Sequence, residues 1–110
     1  MLQQPSTQPL SPHDHRQRAQ RQRQLKAALQ ERILVLDGAM GTMLHSMGLR
    51  PDDFGGAAFE GCNEVLNLTR PDVVTGIHTA YLEAGADIIE TNTFGSTALG
   101  LAEYPPLPQK

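Results

Sequence analysis

Apolar and polar positions along the chain predict two buried strands joined by an amphipathic helix. The run Ile33–Leu36 is apolar without alternation, which is typical of a strand covered on both faces. Between residues 73 and 84 the apolar side chains recur at three- and four-residue steps, which predicts a helix. Gly85 is placed to end that helix, and a second apolar run predicts a strand at residues 87–91. The pattern therefore predicts an α/β fold that begins with a βαβ unit, whose two strands are parallel.

The segments around this unit carry their own helix and loop signals. A short helix is predicted at residues 42–47, directly after the first strand, and residues 50–67 are rich in glycine and lack periodicity, which predicts a long irregular loop. Thr69, Pro71 and Asp72 have the spacing of a helix start, with Thr69 and Asp72 forming a capping box. The central helix is therefore expected to begin at this point.

The first 24 residues differ in composition from the rest. They are rich in Gln, Pro, Ser and Arg and contain almost no large apolar side chains, which predicts a disordered arm. From Arg21 the spacing becomes helical, so a short helix is expected to lead into the first strand. The predicted division is a Gln/Arg-rich arm at 1–24, a folded domain at 25–104 and a proline-rich tail at 105–110.

Composition narrows the class of protein. The chain has 110 residues and a formal charge of −3, so it shows no general electrostatic preference for nucleic acid, and the arginines of the arm are better explained as a solvated helix face. Its single cysteine excludes an intrachain disulfide and favours a reducing compartment. No apolar run approaches the roughly 20 residues that span a bilayer, and a cytoplasmic location is expected.

Polar groups follow both predicted strands, and the carboxyl ends of parallel strands are where α/β folds bind ligands. Asp37 and Glu90 could accept hydrogen bonds from a ligand ammonium, while Gly38 and Gly41 allow the backbone to approach a ligand carboxylate. These groups together indicate an amino-acid site. An equally weighted alternative is that Asp37 caps a helix and Glu90 pairs with a backbone amide or a basic side chain.

Several motifs, in order and at consistent spacing from about Arg32 to Tyr104, resemble the start of the homocysteine-binding domain of the cobalamin-dependent methionine synthase family. They are Ile33-Leu-Val-Leu-Asp-Gly-Ala-Met-Gly-Thr-Met-Leu44, Asn67-Leu-Thr-Arg-Pro-Asp-Val-Val74 and Ile77-His-Thr-Ala-Tyr-Leu-Glu-Ala-Gly-Ala-Asp-Ile-Ile-Glu-Thr-Asn-Thr-Phe-Gly-Ser-Thr97. The resemblance implies a (β/α)₈ TIM barrel, of which this chain would form an N-terminal βαβ fragment. It also implies transfer of a methyl group to the homocysteine thiol, with zinc and methylcobalamin as cofactors of the full-length family.

The resemblance further implies which residues face homocysteine. Those expected to line the substrate site are Asp37, Gly38, Ala39, Glu90, Thr93 and Phe94. Thr91 and Asn92 are expected to brace the second loop, and Thr42 either caps a helix or reaches the ligand.

The chain also departs from the family. The resemblance implies three zinc-binding cysteines on late strands, whereas Cys62 lies in the loop before Asn67 and is expected to be a small structural residue. His45 and His78 have no matching ligand one helical turn away, so surface or structural roles are expected. We therefore expect no catalytic or metal-binding residue in this chain alone, and no bound cofactor.

Three alternatives remain at the level of sequence. The chain could be an inactive truncated product, or a binding module that associates with the missing barrel portion. Within the enzyme class, the methyl donor could be betaine or S-methylmethionine. The expected small-molecule partner is homocysteine, and binding to a membrane or to nucleic acid is not expected.

Overall fold

The computed structural model describes residues 9–107, which divide into two compact units. The first unit ends at Leu34 and the second begins at Val35. The predicted limits at residues 24 and 104 stay predictions. None of the helices within residues 9–107 is long and apolar enough to cross a membrane.

The described part of the first unit is dominated by one long helix, α1, at Pro12–Glu31. The side chain of Ser11 accepts a hydrogen bond from the Asp14 N–H, the Asp14 carboxylate accepts one from the Ser11 N–H, and Pro12 occupies the first turn. The prediction of a disordered arm is therefore wrong for residues 12–24, and the helix that was predicted to be short is long. Residues 1–8 lie outside the described part. The prediction was wrong because it inferred disorder from the lack of large apolar side chains. Gln, Arg, Lys and Ala favour helix, so α1 forms although it buries no residue.

The predicted βαβ fragment is wrong. Within residues 9–107 no strand or sheet forms, and the two predicted strands meet only in one isolated parallel bridge between Leu36 and Ile88. The (β/α)₈ barrel that the resemblance implied is likewise not seen in this part of the chain. Apolarity predicted burial on both faces, yet Val35 and Leu36 are 53% and 56% exposed.

Two aspartate side chains end the ladder at this bridge. The Ile88 N–H donates to the Val35 carbonyl and the Asp37 N–H to the Ile88 carbonyl, which is the parallel pattern. Before it, the Val35 N–H donates to the carboxylate of Asp87 at 2.9 Å; beyond it, the Glu90 N–H donates to the carboxylate of Asp37 at 3.1 Å. Both N–H groups are thereby satisfied by side chains, so the pairing does not extend as backbone hydrogen bonds.

The second unit is otherwise built from short helices. Helix α2 spans Met40–Ser46, and three 3₁₀ helices follow at Pro51–Phe54, Ala57–Phe59 and Asn63–Val65. Helices α3, α4 and α5 occupy Leu66–Thr69, Pro71–Glu83 and Ala98–Leu101. Gly48 and Gly85 have positive φ angles of 65° and 110° after α2 and α4, which suits residues that end helices, and the sequence predicted this role for Gly85.

The core of the second unit lies between α4 and the segment that precedes it. Val73, Val74 and Ile77 form the buried stripe of α4, as predicted, whereas the alanines at 80 and 84 are exposed. The buried apolar side chains are Leu44, Phe54, Cys62, Val65, Leu66, Val73, Val74 and Ile77. The predicted irregular loop therefore supplies much of the core.

The start of α4 differs from the predicted capping box. Thr69 donates its hydroxyl hydrogen bond to the Val65 carbonyl, and Asp72 pairs with the guanidinium of Arg70. Arg70 also binds Asp53 of the first 3₁₀ helix, so one cation joins the start of α4 to the preceding segment. Side-chain ion pairs replace the cap because Arg70 itself occupies the N-cap position.

Candidate functional site

A cavity of about 480 Å³ lies where the two bridged segments end. Its lining comes from residues 37–41, from Asn63 and Glu64, and from residues 90–94. The structure thus brings together all six residues that were expected at a substrate site: Asp37, Gly38, Ala39, Glu90, Thr93 and Phe94. Their role as homocysteine ligands stays a prediction.

Asp37 has a divided environment. Its Oδ2 accepts the Glu90 N–H, whereas its Oδ1 is buried and has no hydrogen-bond partner within residues 9–107. A buried carboxylate oxygen without a donor is costly, so such an atom at a cavity marks a place where a ligand donor would be favourable. Among the lining residues of the described chain, Asp37 alone has a buried side-chain oxygen without a hydrogen-bond partner.

The turn after Asp37 is held by α4. The hydroxyl of Tyr81 donates to the Ala39 carbonyl at 2.9 Å. A Cβ placed on Gly38 would lie 2.9 Å from that hydroxyl oxygen and 3.1 Å from the ring. Gly38 is therefore needed for close approach of the Tyr81 side chain.

The sequence predicted Tyr81 only as one of the recurring apolar positions of the helix between residues 73 and 84. Its phenolic oxygen was the available signal, because a largely covered tyrosine usually directs its hydroxyl to a partner.

The second wall consists of exposed residues in an irregular segment. Glu90, Thr93 and Phe94 are exposed, and the hydroxyls of Thr91 and Thr93 lie 2.6 Å apart. Asn92 is instead buried, at 8% exposure, and its side chain donates to the Asn63 carbonyl. Asn92 therefore joins this wall to the segment behind it.

Two lining residues were not predicted from the sequence. Asn63 and Glu64 come from the third 3₁₀ helix, and Glu64 accepts the Gly95 N–H at 2.8 Å. No periodic signal marks them, because they reach the cavity through packing between distant segments. Thr42, in contrast, is exposed, and it is not among the residues that line the cavity.

The charged groups of the lining all have the same sign. Asp37, Glu64 and Glu90 supply three carboxylates, and no Lys, Arg or His is found among the lining residues of the described chain. Such a cavity favours a ligand that presents a cationic or hydrogen-bond-donating group.

The candidate metal ligands do not assemble. Within residues 9–107 no group of three or more His, Cys, Asp or Glu side chains is arranged to hold a metal ion. Cys62 is buried, with its thiol 3.9 Å from a Glu64 carboxylate oxygen. His45 lines a second cavity of about 430 Å³, and His78 is on α4.

Comparison with known proteins identifies relatives of this sequence. The family model described as homocysteine S-methyltransferase matches residues 34–108. A methionine synthase of Mycobacterium leprae (strain TN) is 55% identical over 80 residues, and one of Mycobacterium tuberculosis (strain ATCC 25618 / H37Rv) is 57% identical over 76 residues. These matches cover 73% and 69% of this chain but only 6% of each relative, so the chain spans a small part of their length.

Proposed function

The chain belongs to the homocysteine S-methyltransferase family, and we propose on this premise that its cavity holds the amino-acid end of homocysteine. The reaction proposed for the whole protein is that of the methionine synthases it resembles. The homocysteine thiol gives its proton to solvent, and its sulfur then takes the methyl group from a methyl donor. The bond between that methyl group and the donor breaks, so that methionine and the demethylated donor result. The chain corresponds to an N-terminal part of the family domain. Its contribution is proposed to be substrate binding.

The buried Oδ1 of Asp37 is the observation that supports this proposal most directly. An ammonium group beside it would supply the missing donor, and Glu90 and Glu64 would add favourable charge from the same cavity. The substrate carboxylate would then lie toward the backbone of residues 38–41, which line the same cavity.

Zinc and methylcobalamin enter this proposal through the family alone. In the family that the sequence resembles, zinc is held by three cysteines and keeps the substrate sulfur as a thiolate, which is the nucleophilic form. This sequence has one cysteine, and Cys62 is buried outside the cavity lining. The residues of this chain do not fit a three-cysteine zinc site, so its proposed role is confined to binding and orienting the amino acid.

Substitution of Asp37 tests the binding role. In Asp37→Asn the side chain can still accept the Glu90 N–H, but the charge that would face an ammonium is lost. We expect homocysteine to bind about 10 to 100 times more weakly, as for loss of a hydrogen bond to a charged group. Titration of the full chain, followed by NMR chemical shifts of residues 37–41 and 90–94, measures this change.

Two controls make that test specific. Asp52→Asn makes the same chemical change at an exposed aspartate that does not line the cavity, and it should leave the affinity unchanged. The analogue 4-mercaptobutanoate lacks the amino group, so wild type and Asp37→Asn should bind it equally. Equal homocysteine affinities of wild type and Asp37→Asn would refute the assignment.

A second candidate function is association with the remainder of the family domain. Exposed apolar side chains at Val35, Leu36 and Ile89 favour it, since Leu36 lies in the bridge, Val35 and Ile89 lie next to it, and all three are exposed. Size-exclusion chromatography with the remaining part of a relative's domain distinguishes the outcomes. A specific complex that methylates homocysteine supports complementation, whereas aggregation supports an inactive product.

The methyl donor also remains a proposal. Methylcobalamin is proposed because the sequence motifs resemble those of the cobalamin-dependent methionine synthase family, with betaine and S-methylmethionine as alternatives. A complemented complex supplied with each donor in turn would identify it.

A further inference from the structure

The segment Asn67–Arg70 lies between the cavity-lining residue Glu64 and helix α4, yet none of its residues lines the cavity. We propose that Asn67 is a positioning residue: through an amide pair with Asn92 it fixes residues 90–94 as the second wall of the cavity. The expected effect of Asn67 on homocysteine binding rests on the proposed function. Its effect on the position of the second wall does not.

The two asparagines bind each other reciprocally. The Asn67 Nδ2 donates to the backbone carbonyl of Asn92 at 2.7 Å, and the Asn92 Nδ2 donates to the Asn67 Oδ1 at 3.2 Å. The same Asn92 Nδ2 also donates to the Asn63 carbonyl at 2.9 Å. One amide pair thus joins the second wall to both the third 3₁₀ helix and α3.

Burial gives this pair its strength. Asn92 is the one buried polar side chain within residues 9–107. A buried amide that loses its partners pays its full desolvation cost, so the arrangement with all three hydrogen bonds is strongly preferred over alternatives. The cost of leaving Asn92 unpaired therefore opposes displacement of the loop.

The wall has little else to hold it. Residues 90–95 form neither helix nor strand, and the backbone ladder ends at Asp37 and Glu90. Beyond Asn92, the next tie to the body of the unit is the Gly95 N–H, which donates to Glu64. Thr93 and Phe94 lie between these two ties, so their placement at the cavity depends on them.

The tie at Gly95 depends on close packing as well. A Cβ added to Gly95 would lie 2.7 Å from the Glu64 Oε1, so the glycine permits the approach. If the amide pair is lost, we expect this contact to open as well, because both ties hold the same short segment. The exchange of the Gly95 amide hydrogen therefore reports on Asn67 from a distance.

The experiment uses the full chain and hydrogen exchange followed by NMR. In Asn67→Ala we expect the Gly95 amide to exchange at least about tenfold faster, while Ile77 in the core of α4 keeps its protection. The homocysteine dissociation constant should rise by a similar factor of about ten. Leu68→Ala, a truncation of the adjacent exposed side chain, is the matched control and should change neither quantity.

Each result decides a specific point. Unchanged Gly95 exchange in Asn67→Ala, or an equal loss of protection at Ile77, overturns the inference. Faster Gly95 exchange with unchanged homocysteine affinity overturns the positioning role. If the wild-type chain does not bind homocysteine, the proposed function fails, and Gly95 exchange still decides whether Asn67 fixes the wall.

A second variant covers the case in which Asn67→Ala does not fold. Asn67→Asp keeps the side-chain size and an acceptor for Asn92 but removes the donor to the Asn92 carbonyl. It should accelerate Gly95 exchange in the same direction, and unchanged exchange in this variant also overturns the inference.

Discussion

Gly38 shows how a single residue type can be required by a neighbour. Its backbone has no positive φ angle, so the absence of a side chain serves a close approach and not an unusual conformation. The ring and hydroxyl of Tyr81 occupy the space that a Cβ would need, and the hydroxyl binds the next carbonyl, that of Ala39. Gly38 and Tyr81 therefore act as a matched pair between the turn and α4.

Replacement of Gly38 tests this pairing. Gly38→Ala should lower the free energy of unfolding by about 1–3 kcal/mol, because a well-packed side chain must move. Gly76→Ala is the matched control: nothing lies within 4 Å of its added Cβ in the middle of α4, so it should stabilise by about 0.5–1 kcal/mol. Urea unfolding measures both, and equal effects of the two substitutions would contradict the argument.

At the residue scale the sequence predicted much of the cavity lining but not its supports. Asp37 and Glu90 were found because polar groups directly after apolar runs mark the ends of paired segments, and the bridge does bring these ends together. Glu64 and Tyr81 were missed as site residues because their positions follow from packing across some 30 to 40 residues of sequence. Local patterns do not record such contacts.

At the scale of elements, Arg70 connects the first 3₁₀ helix to α4. Its guanidinium binds Asp53 on one side and Asp72 on the other. The backbone N–H of Arg50 and the guanidinium of Arg70 lower the pKa of Asp53, and the guanidinium of Arg70 lowers the pKa of Asp72. Both carboxylates thus favour the folded state in their charged form.

The lowered pKa values set the direction of a pH effect. A carboxylate whose pKa is lower in the folded state stabilises the fold above its unfolded pKa near 3.8, and this contribution disappears as the pH falls through the folded pKa. The urea concentration at the midpoint of wild-type unfolding should therefore decrease as the pH falls below about 4. Arg70→Met should weaken this dependence of the midpoint on pH. Arg50→Met keeps the backbone N–H that binds Asp53 and should retain most of it. Parallel pH profiles of wild type and Arg70→Met would rule out the contribution of Arg70.

The elements were predicted unevenly, and the reasons are physical. Helix α4 was found because its apolar spacing coincides with its buried stripe, Val73, Val74 and Ile77. The prediction of two strands was wrong because a run of apolar residues indicates β preference but does not specify which segment it pairs with. Aspartate side chains end the only bridge within residues 9–107. Helix α1 was missed in part because disorder was inferred from the lack of a buried face, although local helix preference and the Ser11 cap suffice for its form.

At the scale of the whole molecule, the chain has a cavity lined by carboxylates and spans only 6% of the length of the relatives described above. The cavity lining supplies carboxylates and backbone groups, and the sequence contains only one thiol. Binding and chemistry are thus expected to depend on different parts of the family protein.

This division predicts the behaviour of the isolated chain. We expect no methyl transfer to homocysteine with any donor and no stoichiometric zinc, because Cys62 alone cannot supply a three-cysteine site. Metal analysis after gel filtration and an assay for methionine check both expectations, with Cys62→Ala as the control for adventitious thiol binding. Measurable turnover, or one tightly held zinc ion that persists in Cys62→Ala, would show that the division is wrong.

The two oxygens of Asp37 have a consequence for how this site could evolve. One oxygen holds the backbone of Glu90, the other is buried without a partner, and Asp37 lines the cavity, so under the proposed function selection at this position acts on folding and on ligand choice at once. Glu90 is under no such double constraint, since its contact to Asp37 uses only its backbone. Changes in ligand preference within such a lineage are therefore expected to accumulate around Asp37 and to leave Asp37 itself unaltered.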